Sequence, residues 1–140
     1  MNEPFAGDFF KDPLIFLPGV AGARSLQPAY DTVAASIREI DTETIVMYEP
    51  VVYGMIHDST ETIGKLLSSG FSHVPGGVEY ANKSAFSYHY YCWLAHPGDG
   101  TTYNRVEKAA CDKLLGPAVF NAVEETTTRI GGGSMMTEFG

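Results

Sequence analysis

Two glutamates stand near opposite ends of this 140-residue chain, Glu3 in MNEPF and Glu138 in MTEFG, and each occupies a place where a β-strand would end. A pair of carboxyl groups about 5 Å apart can cleave an acetal with retention, one protonating the leaving oxygen while the other attacks the anomeric carbon. The acid partner must hold its proton near neutral pH, and a neighbouring carboxylate together with partial burial favours that. Asn2 lies immediately before Glu3, placed to hydrogen-bond a sugar 2-hydroxyl. A third polar group sits in SYHYYCW, where His89 and Tyr91 fall two residues apart and so share one face of a strand. A lone histidine on an aromatic strand is more often a satisfied core residue, so His89 draws its interest from the glutamates around it. Glu49 closes the segment TIVMYEP, where it lines a pocket or makes a structural hydrogen bond, and Tyr53 follows in VVYG. Trp93 either stacks on a sugar face or packs beneath a loop.

Such groups are useful only if separate elements bring them together, and the periodicity predicts those elements. Ile45 to Tyr48 form an unalternating apolar run, the pattern of a strand buried on both faces. SAFSYHYYCW and SMMTEFG read as two further strands, the first ending before Pro-Gly-Asp-Gly and the second following three glycines. Tyr30, Val33, Ala34 and Ile37 make one helical face ahead of the first strand. STETIGKLLSSGF offers a short helix, and SHVPGGVEYANKS a loop. Asn104 and Glu107 suggest a helix start that carries Val106, Ala109 and Ala110 inward, with a restart at Gly116-Pro117 and an end near Arg129. Helices alternate with strands throughout, which is the order of a parallel α/β protein. Polar residues collect at one end of each strand, the organisation of a (β/α)₈ barrel, yet a barrel requires eight strands and about 250 residues. The chain therefore reads as an internal fragment of a TIM barrel, three strands and the tail of a fourth, bounded by its two glutamate motifs.

Nine basic against seventeen acidic residues give a net charge of −8, which opposes binding to nucleic acid and to anionic headgroups. There is no run of 18 apolar residues and no signal-peptide pattern. Cys92 and Cys111 are either two free thiols or one disulfide. Asn82-Lys83-Ser84 is an N-glycosylation pattern, which fits a secreted, lysosomal or extracellular protein. His57, His73 and His96 lack metal-ligand spacing, so neither a metal nor a cofactor is expected. KDPLIFLPGVAG carries Leu14, Ile15, Phe16, Leu17 and Val20 just after Glu3; it packs on the following helix, or forms an apolar wall beside the acid.

NEP after a strand, HYY on another and TEFG on a third resemble glycoside hydrolase family 5. The intervening segments NEPFAGDFFKDPLIFLPG, YEPVVYG, GFSHVPGG and SYHYYCW are similar to its endoglycoceramidase branch, over nearly the whole chain. The resemblance implies that residues 1–140 are a partial glycoside hydrolase catalytic domain that cleaves the bond between oligosaccharide and ceramide in glycosphingolipids. It places the chain from the tail of strand 4 through strand 7 of a (β/α)₈ TIM barrel, and makes Glu3 the acid/base and Glu138 the nucleophile, with Asn2, His89 and Tyr91 binding substrate and Tyr91 donating to Glu138. The implied partner is a glycosphingolipid, met at a micelle or membrane surface. Two enzyme alternatives, a glucosylceramidase-like hydrolase and a β-1,4-glucanase, share that fold; a binding protein without turnover would not need both glutamates.

Overall fold

Prolines punctuate the first third of the chain. The computed structural model describes residues 2–5, 7–51, 62–92 and 105–140. Asp12 begins a 3₁₀ turn, Pro13–Phe16, by accepting the Leu14 amide at 3.2 Å on its side chain. Helix α1 (Pro18–Ala21) continues through a π turn, Gly22–Leu26, into helix α2 (Gln27–Arg38). Pro28 has no N–H to give to the carbonyl of Arg24, and its ring crowds that carbonyl. The helix widens there, so that the Gln27 amide reaches back five residues to Gly22. The same device recurs before Pro117. Helix α4 (Arg105–Ala110) passes through a π turn, Cys111–Leu115, where the Gly116 amide bonds Cys111, and resumes as helix α5 (Gly116–Ile130). Helix α3 (Thr62–Leu67) is crossed so closely by α1 and its π turn that a Cβ on Gly19 would lie 1.7 Å from the Lys65 carbonyl oxygen.

Three strands, β1 (Val46–Tyr48), β2 (Ser84–Tyr90) and β3 (Gly133–Phe139), form a parallel sheet in the order β1-β2-β3. Its helix-side face is the core. Tyr48 and Phe86 face α2 and α5 with Phe71 between them, in edge-to-face contacts at 5.3 Å from Tyr48 to each. Tyr30, Leu26, Ile15, Val51, Val74, Ala122, Val123 and Ile130 complete the cluster. Arg38, buried at the foot of the sheet, donates to the carbonyls of Thr44 (2.7 Å) and Lys83 (2.8 Å), tying together the residues that lead into β1 and β2.

Several sequence expectations change in this light. β1 is covered on one face only: Val46 and Tyr48 are buried, whereas Met47 is 43% exposed on the other side. The buried stripe of α2 runs Gln27, Tyr30, Ala34, Arg38, leaving Val33 outside, because Gln27 and Arg38 are drawn inward by bonds to loop backbone. Val106 and Ala109 point outward, since α4 is anchored through Cys111 rather than by an apolar face. Cys92 and Cys111 form a disulfide. The segment read as a loop before β2 contains a 3₁₀ helix, Val78–Lys83. Asn104 lies outside the described residues.

Candidate active site

On parallel strands alternate residues share a face, and the register places Met47, Ala85, Ser87 and His89 on the side away from the helices. Regular alternation along β3 would put Glu138 with Met136 on the opposite, helix side. The pairing instead runs Tyr88 to Met136 and His89 to Glu138, leaving Thr137 as an extra residue. This bulge turns Glu138 to the face of His89 and level with it. Thr137 is held by a 2.7 Å hydroxyl contact with Ser87.

His89 is the hub. Its Nδ1 lies 3.4 Å from Glu3 Oε1, and its Nε2 lies 3.5 Å from Glu49 Oε1 and 3.5 Å from Glu138 Oε1. Nε2 is buried and sits at ion-pair range of both carboxylates without a well-aligned hydrogen bond to either. One oxygen from each of Glu3 and Glu138 and one ring nitrogen of His89 all fall within 4.8 Å of one another. Glu3 and Glu138 are the more accessible groups, with side chains 46% and 35% exposed against 15% for His89 and 10% for Glu49. The Tyr91 hydroxyl donates to Glu138 Oε2 at 2.9 Å. That bond, followed by residual desolvation and the charges of Glu138 and Glu3, raises the Tyr91 pKa above its usual value, so the phenol remains a donor.

Glu49 stands behind the exposed pair. Its Oε2 accepts the backbone N–H of Glu3 at 2.9 Å, and its Oε1 accepts the Ser87 hydroxyl at 3.0 Å. Its own N–H donates to the Tyr30 hydroxyl at 3.1 Å. Glu3 has φ of 47°, in the left-handed region where a side chain other than glycine's is strained.

Of the residues singled out from the sequence, Glu3, His89, Tyr91, Glu138 and Glu49 converge, and Asn2 stands exposed beside Glu3. Tyr53 and Trp93 lie outside the described residues, as do His57 and His96; His73 pairs with Asp31 at 3.3 Å, away from this cluster. Ser87 and Tyr30 were missed. The signal for Ser87 was its place two residues before His89 on the same strand face. The spacing argument against a metal concerned other histidines. Glu3, His89 and Glu138 are close enough for a cation to draw on all three, although the two ring nitrogens of His89 face different carboxylates.

Chemically, the arrangement is a pair of accessible carboxyl groups bridged by an imidazole on the open face of a parallel α/β sheet. The spacing falls near the about 5 Å used by retaining glycosidases and short of the roughly 6.5–9.5 Å of inverting ones. The chain is 43% identical over 91 residues, 65% of its length, to an endoglycoceramidase of Cyanea nozakii, and 41% identical over 91 residues to an endoglycoceramidase of Hydra vulgaris. The match covers 16% of the length of each of those proteins. No family model matches the chain, and no solved structure matches it.

Proposed function

We propose that this chain is the portion of a glycoside hydrolase family 5 barrel, strand 4 tail through strand 7, that carries both catalytic carboxyl groups of an endoglycoceramidase. The observation that carries the reading is the approach of Glu3 and Glu138 to within 4.8 Å on the open face of the sheet. Among the described residues no strand pairs with the outer edge of β1 or of β3, which suits a barrel completed by further strands. In the proposed reaction Glu138 bonds to the anomeric carbon of the glycan while the glycosidic C–O bond breaks and the proton of Glu3 passes to the departing ceramide oxygen. Glu3, now ionised, takes a proton from water, whose oxygen attacks the same carbon and releases Glu138. Tyr91 holds Glu138 through its donated bond, and His89 spans the two carboxyl groups. Asn2 holds the sugar.

Phe5, Phe9 and Phe16 form an aromatic row close in sequence to the acid, with ring centroids 5.2 and 4.0 Å apart. Phe5 and Phe16 are exposed, and Phe10 beside them is fully so. This row suits transient contact with a micelle or membrane on the leaving-group side. The disulfide and the exposed Asn82 support a secreted, lysosomal or extracellular setting.

Azide tests the assignment of roles in the full-length protein. With Glu3→Ala it intercepts the glycosyl-enzyme formed from an activated substrate and gives an azide of retained configuration. With Glu138→Ala the product is inverted. The reverse pattern would exchange the roles, and no azide product from either variant would remove the double displacement.

A further inference from the structure

We infer that Glu49 is a positioning residue for Glu3, acting through the backbone of Glu3; this rests on the reading of Glu3 as acid/base. A carboxylate is costly to bury, and Glu49 is 8% exposed. It contacts the accessible pair only from behind. Its oxygens are taken by the Glu3 amide and the Ser87 hydroxyl, so neither is free to meet substrate as a proton donor or a nucleophile. The bond to the Glu3 amide spans 46 residues of sequence and lands on a residue whose φ of 47° is unfavourable for glutamate. A bond from the Glu3 amide to a buried, tethered acceptor is suited to hold that conformation. Glu49 is itself fixed, through its amide to Tyr30 in the core and through Ser87 to the Thr137 bulge that orients Glu138. The same side chain thus sets the place of one carboxyl group and is linked through two hydroxyls to the placement of the other. A misplacement of about 1 Å at a reacting group is worth about 10²-fold in rate.

The test exploits leaving-group dependence. A dinitrophenyl glycoside departs without proton donation, whereas the ceramide alkoxide needs it. In the full-length protein, Glu49→Ala is expected to lower kcat/KM for the natural glycolipid by about 10²-fold and for the dinitrophenyl glycoside by less than about fivefold. Glu49→Gln, which keeps an acceptor for the Glu3 amide, should recover tenfold or more of the natural-substrate loss. Hydrogen exchange at the Glu3 amide should accelerate in Glu49→Ala and not in Glu49→Gln. Should Glu49→Ala not fold, Glu49→Asp, whose shorter side chain draws the acceptor back from the Glu3 amide, is expected to show a selective loss of about tenfold on the natural glycolipid. Equal losses on both substrates, or unchanged exchange at Glu3, would overturn the inference. Glu3→Ala in the same assays isolates the underlying reading: if it too shows no leaving-group selectivity, Glu3 is not the acid and that reading falls first.

Discussion

Replacing Phe10 and Phe16 by serine separates interfacial contact from packing. The sequence joins Ile15 and Phe16 in one apolar run, but the 3₁₀ turn sends them opposite ways: Ile15 is 4% exposed within the core and Phe16 is 62% exposed. Phe10 is 101% exposed, so the two phenylalanines together offer water the surface of about one and a half full side chains. Complete removal of one from water is worth about 1.5–3 kcal/mol. Seated to half depth in a micelle, the pair would contribute roughly 1–2.5 kcal/mol, or about five- to sixtyfold in attachment. The expected result for the double variant is a KM for micellar glycosphingolipid raised by that factor, with an unchanged KM for a soluble aryl glycoside and a stability loss of only about 0.5–1.5 kcal/mol from the Phe9–Phe16 stack. Ile15→Ala is the contrast. It should cost about 2–5 kcal/mol of stability and leave the ratio of the two KM values alone. Equal impairment of Phe10→Ser/Phe16→Ser on both substrates, or a Tm drop matching that of Ile15→Ala, would refute interfacial contact.

Other outcomes follow from the packing. A Cβ at Gly22 would lie 1.8 Å from the Ser69 carbonyl oxygen, so Gly22→Ala should destabilise by about 1–3 kcal/mol or more in urea titration, where an unchanged midpoint would mean the helices are not in backbone contact. Burial raises the pKa values of Tyr30 and Tyr48, and Tyr48 has no hydrogen-bond partner for its hydroxyl among the described residues. Their stabilising effect is therefore complete below the unfolded value near pH 10 and is lost as pH climbs through the folded values; Tyr48→Phe should flatten that alkaline decline, and an identical decline would deny Tyr48 a part in it. Protein secreted from eukaryotic cells should lose mass on enzymatic removal of N-glycans, and Asn82→Gln should abolish the loss.

Much of this site was legible because its polar groups end strands. Glu49, His89, Tyr91 and Glu138 each follow an apolar or aromatic segment, and strand alternation makes a common end readable from one dimension. The acid cluster emerged for that reason. What could not be read depends on pairing partners. Glu49 as acceptor for the Glu3 amide joins positions 46 apart, and nothing local to either signals it. Val33 was misjudged because apolar periodicity sees no buried Gln27 or Arg38, whose burial is due to hydrogen bonds with distant backbone, and Val106 because α4 is anchored through Cys111 rather than by an apolar face. The disulfide needed a Cα separation of 5.7 Å that spacing does not encode.

The extra residue at Thr137 makes β3 sensitive to length in a way that substitution tables do not capture. Six residues from Gly133 to Glu138 oppose the five from Ala85 to His89, so a single-codon deletion there would close the bulge and keep Glu138 opposite His89, whereas an insertion would demand a second unpaired residue or turn Glu138 toward the helices. Side-chain changes at Ser134, Met135 or Met136 are graded perturbations; length changes there are binary. Libraries built on this region should accordingly vary composition freely along the strand and hold its residue count fixed. A strand-matching comparison with a relative that lacks the bulge must skip Thr137 to pair Glu138 with the position opposite His89. The placement of Glu138 is thus carried by a count as well as by a letter.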